Sequence, residues 1–366
     1  MKNSKSKFKR IAIKVGSNVI TQPDGTLNSW RISRLVQEIA TLTKQGTEVI
    51  LISSGAVAAG RGDVPPSSKT NIIGAKQVLA AIGQVKLMSS YQFLFGKYGM
   101  QAGQVLTTKE SFRDRRHYLS MKNCITAMLE NNVLPIVNEN DTISINEMMF
   151  TDNDELSGLI SSLMDCQALI ILSNVDGIFN GEPGSPGTEL INVINEDSAD
   201  IKQYISHSKS GFGRGGMHTK YLNARRIALE GTDVYIANGN RDSIITDIVR
   251  RKEVPCTHFI ASTRKQTGVK KWLSHSETFA KGAVTVNKGA KEALLGERAS
   301  SLLLIGITCI EGFFKSGDIV RILDEERNII GLGKAQYDSE KAEQNMGQKV
   351  SKPFIHYDFL VINENN

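Results

Sequence analysis

At 366 residues the chain exceeds one ordinary domain, and 40% apolar with 22% charged residues excludes wholesale disorder and supports a sizeable core. The net charge of +6 raises nucleic acid as a partner, but the excess sits in a basic start (Lys2, Lys5, Lys7, Lys9, Arg10) and a second run (Arg250, Arg251, Lys252, Arg264, Lys265, Lys270, Lys271), as solvated surfaces do. No window approaches the ~18 apolar residues of a membrane span, and Lys14 and Gly16 interrupt any signal-peptide core. Cys124, Cys166, Cys256 and Cys309 stand far apart without CxxC spacing, so reduced, mostly packed thiols and a cytoplasmic location are expected.

Residues 10–15 (RIAIKV) read as a short strand ending at Gly16 and Ser17, with Lys14 near its carboxyl end. An amphipathic helix is predicted over 27–46, capped by Asn28 or Ser29 and stopped by Gly46. A strand over 48–52 empties into Ser53, Ser54, Gly55 and Ala56. A helix over 72–98, a strand over 102–106 and a helix over 110–132 lead to the apolar run 133–137, which ends in Asn138, Glu139, Asn140 and Asp141. Thr151, Asp152, Asn153 and Asp154 then precede Leu156, Leu159, Ile160, Leu163 and Met164 at helical spacing, so a helix is predicted to begin near Asp152. A fifth strand over 168–172 ends in Ser173 and Asn174, and 180–188 (NGEPGSPGT) is a loop. GFGRGGMHTK at 211–220 leads into a helix over 221–230 and a strand over 233–237. This alternation predicts an α/β fold, a mostly parallel sheet sandwiched by helices. Between 250 and 275 periodicity is lost and charge gathers, as in a connector; short apolar runs with Gly and Asp turns then predict a small, mainly-β domain with one helix near 288–295. We place the catalytic domain at 1–262, a linker at 263–276 and a C-terminal domain at 277–366.

Each strand of the first domain ends in small or polar groups, which puts a row of ligand candidates along one sheet edge. Packing alone reads Thr151 or Asp152 as a helix cap and Asp141 as a turn former. Lys14 is harder to explain that way, because an unpaired interior ammonium is costly; at its strand's end it reaches the edge shared by Ser54, Asp141 and Asp154. Gly211, Gly213 and Gly216 formally satisfy GxGxxG, but the polar QYISHSKS before them is not the strand a dinucleotide fingerprint needs. That segment is either a plain loop or a series of backbone N–H groups leading to Lys220, an arrangement suited to phosphate oxygens. Two lysines, acids, amides and an N–H cradle, with no nucleophile and base pair, fit phosphoryl transfer, where positioning and charge matter more than covalent help.

The ordered set KVGS at Lys14, SSGA at Ser53, VNENDT at Val137, TDNDELS at Thr151, SNVDG at Ser173 and GRGGMHTK ending at Lys220 resembles the amino acid kinase family, and the stretch from Glu277 resembles a PUA domain. The resemblance covers nearly the whole chain, and motifs in the right order are more specific than any one of them. It implies the amino acid kinase fold and an ATP-dependent kinase of the branch that phosphorylates the γ-carboxylate of L-glutamate, the first step of proline biosynthesis, with Mg²⁺ as cofactor. By the same resemblance Lys14 and Lys220 would contact the ATP phosphates and Asp154 would hold the two ammonium groups. Ser54, Asp141, Asp152 and Asn153 would bind glutamate. Ser173 and Asn174 would meet the nucleotide, and Arg214, Gly215, Gly216, Met217, His218, Thr219 and Lys220 would form the phosphate loop; no protein metal ligand is implied. The chain departs from the family's common pattern at Ser173, Asn174, Arg214 and His218. The family further implies proline as feedback inhibitor, a homo-oligomer, and hand-over of the labile product to glutamate-5-semialdehyde dehydrogenase. Two other readings stay open: a family member with another acceptor, and an RNA-binding protein acting through the PUA-like domain, against which that domain's slightly acidic charge counts.

Overall fold

Strand β1 (Arg10–Val15) lies inside a sheet because it is apolar on both faces, with Ile11, Ala12, Ile13 and Val15 all fully buried. The structure is a computed structural model and describes residues 8–61, 71–113, 115–143, 150, 153–196, 198, 216–263, 268–274, 280–296 and 300–362. The chain divides into two compact units, residues 1–265 and 266–366.

In the first unit β1 pairs in parallel with β2 (Glu48–Ser53) on one side and β5 (Ala168–Ser173) on the other. Beyond β2 lie β4 (Val133–Glu139) and the edge strand β3 (Gln101–Thr107), both parallel. Beyond β5 lie the parallel β7 (Asp233–Asn238), the antiparallel β8 (Cys256–Phe259) and the short β6 (Val193–Ile194). Among the described residues the order is β3-β4-β2-β1-β5-β7-β8-β6.

Alternation along the strands assigns the two faces. Ile11, Ile13, Leu51, Ile170 and Leu172 share one cluster with helices α2 (Ser29–Lys44), α4 (Ile72–Gly96) and α9 (Ile244–Val249), through Leu35, Ile39, Leu87, Tyr91 and Ile248. Each such side chain contributes about 1.5–3 kcal/mol by leaving water. The opposite face receives α6 (Arg115–Glu130), α7 (Asn153–Leu163) and α8 (Met217–Leu229), with α7 lying against β1, β2 and β5. Two short helices follow the strand ends directly, Ser17–Ile20 after β1 and Ala56–Gly60 after β2.

The second unit is a separate five-stranded sheet, ordered β10-β9-β11-β12-β13 among the described residues. Its strands are β9 (Gly282–Val286), β10 (Ile307–Glu311), β11 (Ile319–Leu323), β12 (Ile329–Lys334) and β13 (Leu360–Ile362). Val284, Ile322, Phe314 and Phe354 centre its core. A helix at Lys288–Leu295 stands where the sequence predicts it, and a second at Ser339–Gln344 does not stand out from sequence pattern.

Several expectations need correcting. Within the helix expected over 110–132, the described helical residues are Glu110–Arg113 and α6. Strand β4 runs on through Asn138 and Glu139, which pair with Leu106 and Thr107, so the polar cluster begins inside the strand. The connector region 250–275 contains β8, held by the edge of β7, and a helix at Gly268–Ser274. That helix lies inside the expected linker, yet it packs on β12 and β13 of the second unit and buries Trp272 and Leu273. The four cysteines are free, but Cys124 and Cys309 are exposed rather than packed.

Candidate active site

The carboxyl ends of β1, β2, β4 and β5 open into a cavity of about 1090 Å³, larger than a single drug-sized ligand requires. Lys14 follows Ile13 in β1 and so projects to the face covered by α7. Asp154 sits in the first turn of that helix, fully buried, where the helix dipole favours an anion. Lys14 Nζ lies 2.6 Å from Asp154 Oδ1, and Lys220 Nζ, from the first turn of α8, lies 2.6 Å from Oδ2. Burial alone would push the Asp154 carboxyl up, but Lys14 and then Lys220 outweigh it and hold it well below the usual carboxylate range. Two ammonium groups thus flank one carboxylate. Both lysines line the cavity, where an entering anion meets them.

The other end of the cavity is built mainly from neutral groups. Strand β2 finishes in Ser53, Ser54 follows it, and Gly55 turns the chain at φ 103°, a left-handed value that suits glycine. Asn153 Nδ2 donates to Ser54 Oγ at 2.7 Å and to Asn138 Oδ1 at 3.0 Å, and Asn138 Nδ2 donates to Gln84 Oε1 at 2.9 Å. Asp141 pairs with Lys76 at 2.6 Å. The Tyr91 hydroxyl meets Ser53 Oγ at 2.9 Å, and burial pushes its pKa up to about 12, so it stays protonated. Lys76, Gln84 and Tyr91 all belong to α4. That helix lies close enough because a Cβ on Gly83 would fall 1.7 Å from the Ala56 carbonyl oxygen; the backbones touch there, and no larger residue fits.

Most of the residues singled out from sequence meet in this one cavity. Lys14, Ser54, Asp141, Asn153, Ser173, Asn174, Met217 and Lys220 line it or contribute to its wall. Ser173 and Asn174 stand at the end of β5, with Ser173 Oγ donating to Asn174 Oδ1 at 3.4 Å. Gly216 is the N-cap of α8, and His218 and Thr219 fall in that helix's first turn without lining the cavity. Helix α8 thus begins at Met217, before the predicted start at Tyr221. Thr151, Asp152, Arg214 and Gly215 lie outside the described residues.

Sequence reasoning passed over Lys76, Gln84 and the specific role of Asn138. Lys76 had a signal: α4 reads IIGAKQVLAAIGQVKLMSSYQFLFG, in which Lys76 and Lys86 are the only charged residues. Gln84 had none, since a neutral amide in such a helix looks like any other tolerated polar residue. Among the described residues no group of three or more His, Cys, Asp or Glu side chains is arranged to hold a metal, and no helix is long and apolar enough to cross a membrane.

Residues 9–238 match the amino acid kinase family and residues 282–355 match the PUA domain. A glutamate 5-kinase of Bacteroides thetaiotaomicron is 55% identical over 359 residues, spanning 98% of this chain and 99% of the relative. A glutamate 5-kinase of Chlorobaculum tepidum is 48% identical over 356 residues, with 97% and 98% covered. Among solved structures, an isopentenyl phosphate kinase matches with a TM-score of 0.50 at 17% identity, over 68% of this chain and 99% of that one. The UMP kinase of Ureaplasma parvum matches with a TM-score of 0.50 at 13% identity, over 69% and 98%. These two likenesses concern the fold alone.

Proposed function

The chain belongs to the amino acid kinase family, in its glutamate 5-kinase branch, and from that premise we propose that it transfers the γ-phosphoryl group of ATP to the γ-carboxylate of L-glutamate, giving γ-glutamyl phosphate for proline biosynthesis. A single observation carries the mechanism: a buried carboxylate clamped between two lysines, Lys14 and Lys220, at one end of a cavity whose other end holds hydroxyl and amide groups. The curated relatives, named glutamate 5-kinases along their whole length, give no support to the RNA-binding alternative.

The acceptor needs no general base. A γ-carboxyl has an ordinary pKa of about 4.3 and is ionised at neutral pH. The obstacle is bringing two anions together, and the ammonium groups of Lys14 and Lys220 lower that barrier. A γ-carboxylate oxygen forms the new bond to the γ-phosphorus, the bond to the β–γ bridging oxygen breaks, and ADP leaves. Lys14 and Lys220 offset the charge spread over the moving phosphoryl oxygens, and Asp154 holds both ammonium groups in place. Ser54, Asp141 and Asn153, with Asp152, hold the amino acid. Ser173, Asn174 and the 214–220 segment hold the nucleotide.

Mg²⁺ fits this site as the counter-ion that ATP brings with it. Asp154, the buried carboxylate between the lysines, is engaged by both of them. Such an ion commonly travels on phosphates and water with few protein ligands. Proline acts as a feedback inhibitor in this reading, and flat activity across rising proline would refute that part. The acyl phosphate is labile in water, which favours hand-over to glutamate-5-semialdehyde dehydrogenase. We also place the enzyme in the cytoplasm, where the free, exposed Cys124 and Cys309 stay reduced, and as a homo-oligomer. The assignment is tested by supplying ATP, Mg²⁺ and a panel of amino acids while hydroxylamine traps any acyl phosphate. Hydroxamate from glutamate is expected; a product from aspartate but not glutamate would overturn the assignment.

A further inference from the structure

We propose that Gln84 is a positioning residue for the amino acid: from inside α4 it locks the amide of Asn138, and through it Asn153, so that Asn153 Oδ1 becomes the acceptor for the substrate's ammonium group. This inference rests on glutamate being the acceptor substrate. It concerns a residue that lies behind the cavity wall.

The chain of hydrogen bonds has a fixed polarity. It starts at the backbone N–H of Glu139, which donates to Asn138 Oδ1 at 2.9 Å. A backbone N–H can only donate, so the orientation of the Asn138 amide is determined, and its Nδ2 must seek an acceptor on the far side. Gln84 Oε1 is that acceptor, at 2.9 Å in a buried contact. With its oxygen so placed, Asn138 presents Oδ1 to Asn153 Nδ2 at 3.0 Å, and Asn153 Nδ2 also donates to Ser54 Oγ at 2.7 Å. Both hydrogens of the Asn153 amide are thereby used. Its Oδ1 is left buried without a hydrogen-bond partner among the described residues. An orphaned acceptor of this kind is uncommon in native structures and marks a place where a donor arrives.

The same polarity sets the chemistry of the ligand. Asn153 and Asp141 both line the cavity, and the Asn153 Oδ1 acceptor together with the Asp141 carboxylate suits an ammonium group. Ser54 Oγ accepts from Asn153, which leaves its own hydrogen to donate to a carboxylate. One ammonium and one carboxylate on adjacent sites describe an α-amino acid and discriminate against a dicarboxylate that lacks nitrogen. Without the Gln84 oxygen, Asn138 Nδ2 is a buried donor with no acceptor. Asn138 can then satisfy it only by turning its amide, which gives up the Glu139 N–H and reverses Asn153.

The test compares L-glutamate with glutarate, the same acid without the ammonium, in the full-length enzyme with ATP, Mg²⁺ and hydroxylamine. Gln84→Met, close in volume but without an acceptor, is expected to raise the glutamate KM about ten-fold with kcat within about two-fold. Its kcat/KM for glutarate should stay within about two-fold, so the preference for glutamate falls about ten-fold. Gln84→Glu retains an acceptor oxygen and should keep the wild-type preference. Gln84→Ala carries the same expectation as the Met variant if that variant does not fold. An unchanged glutamate KM, or an equal loss on both acids, would overturn the inference while leaving the kinase assignment standing. A wild-type enzyme that gives no hydroxamate from glutamate would instead remove the assignment, and the inference with it.

Discussion

At one end of the cavity Lys14, Asp154 and Lys220 meet as charges at 2.6 Å; at the other, Ser54, Asn153, Asn138 and Gln84 meet as neutral groups at 2.7 to 3.0 Å. Charges act over distance and tolerate small displacements, since their energy falls only as the inverse of separation. Neutral hydrogen bonds are directional and fail when an amide turns over. The charged end therefore suits a moving phosphoryl group whose charge shifts during the reaction. The amide end suits a stationary recognition task, reading which groups a small acid carries. Damage to the first should appear in turnover, and damage to the second in the concentration of glutamate required.

The largest effect is expected for Lys220→Ala or Lys14→Ala. Either removes a cation from the reacting group and should lower kcat about 10²- to 10³-fold, the range seen when one transition-state donor is lost. Steady-state kinetics at saturating glutamate measures it, and a loss confined to KM would break the contrast. Next, Asn153→Ala removes the neutral acceptor and both donated bonds, and should raise the glutamate KM roughly ten-fold while kcat holds within about three-fold. A smaller effect belongs to Gly83→Ala. The new methyl has no room against the Ala56 carbonyl, so a destabilisation of about 1–3 kcal/mol is expected. Thermal melting should show it, together with a rise of about three-fold in the glutamate KM and an unchanged ATP KM.

The smallest expected effect is that of pH. The folded pKa of Asp154 is depressed below its unfolded value, so its contribution to stability is complete above the ordinary carboxylate range near pH 4 and is lost only as the pH falls lower. Between about pH 6 and 8 both the melting temperature and kcat should show no titration of this group. A kcat limb in that window would indicate a general base, which a carboxylate acceptor does not need.

The two ends also differ in how far the sequence revealed them. Lys14 was legible because a charge at the end of an apolar strand has no packing explanation and must have a partner, whereas an acid such as Asp154 at a helix start is ordinary and took its role from the family resemblance. Lys220 was legible from its place after the glycine-rich run. Gln84 was silent because a neutral amide in a long apolar helix violates no pattern, and its importance comes only from Asn138, which is distant in sequence. Lys76 could have been noticed as a lone charge near the start of α4, but its partner Asp141 already had an explanation as a turn former. The parallel sheet followed from the alternation of strands and helices. Strand β8 did not, being four residues long, flanked by charges and Pro255, and fixed by pairing with β7 rather than by its own periodicity.

The division of labour between the two ends is tested most directly by the kinetics of Asp141→Ala and Asp154→Ala measured side by side with ATP, Mg²⁺ and glutamate. Asp141→Ala should raise the glutamate KM at nearly constant kcat, and Asp154→Ala should depress kcat at nearly constant glutamate KM. The same kinetic defect in both variants would contradict it.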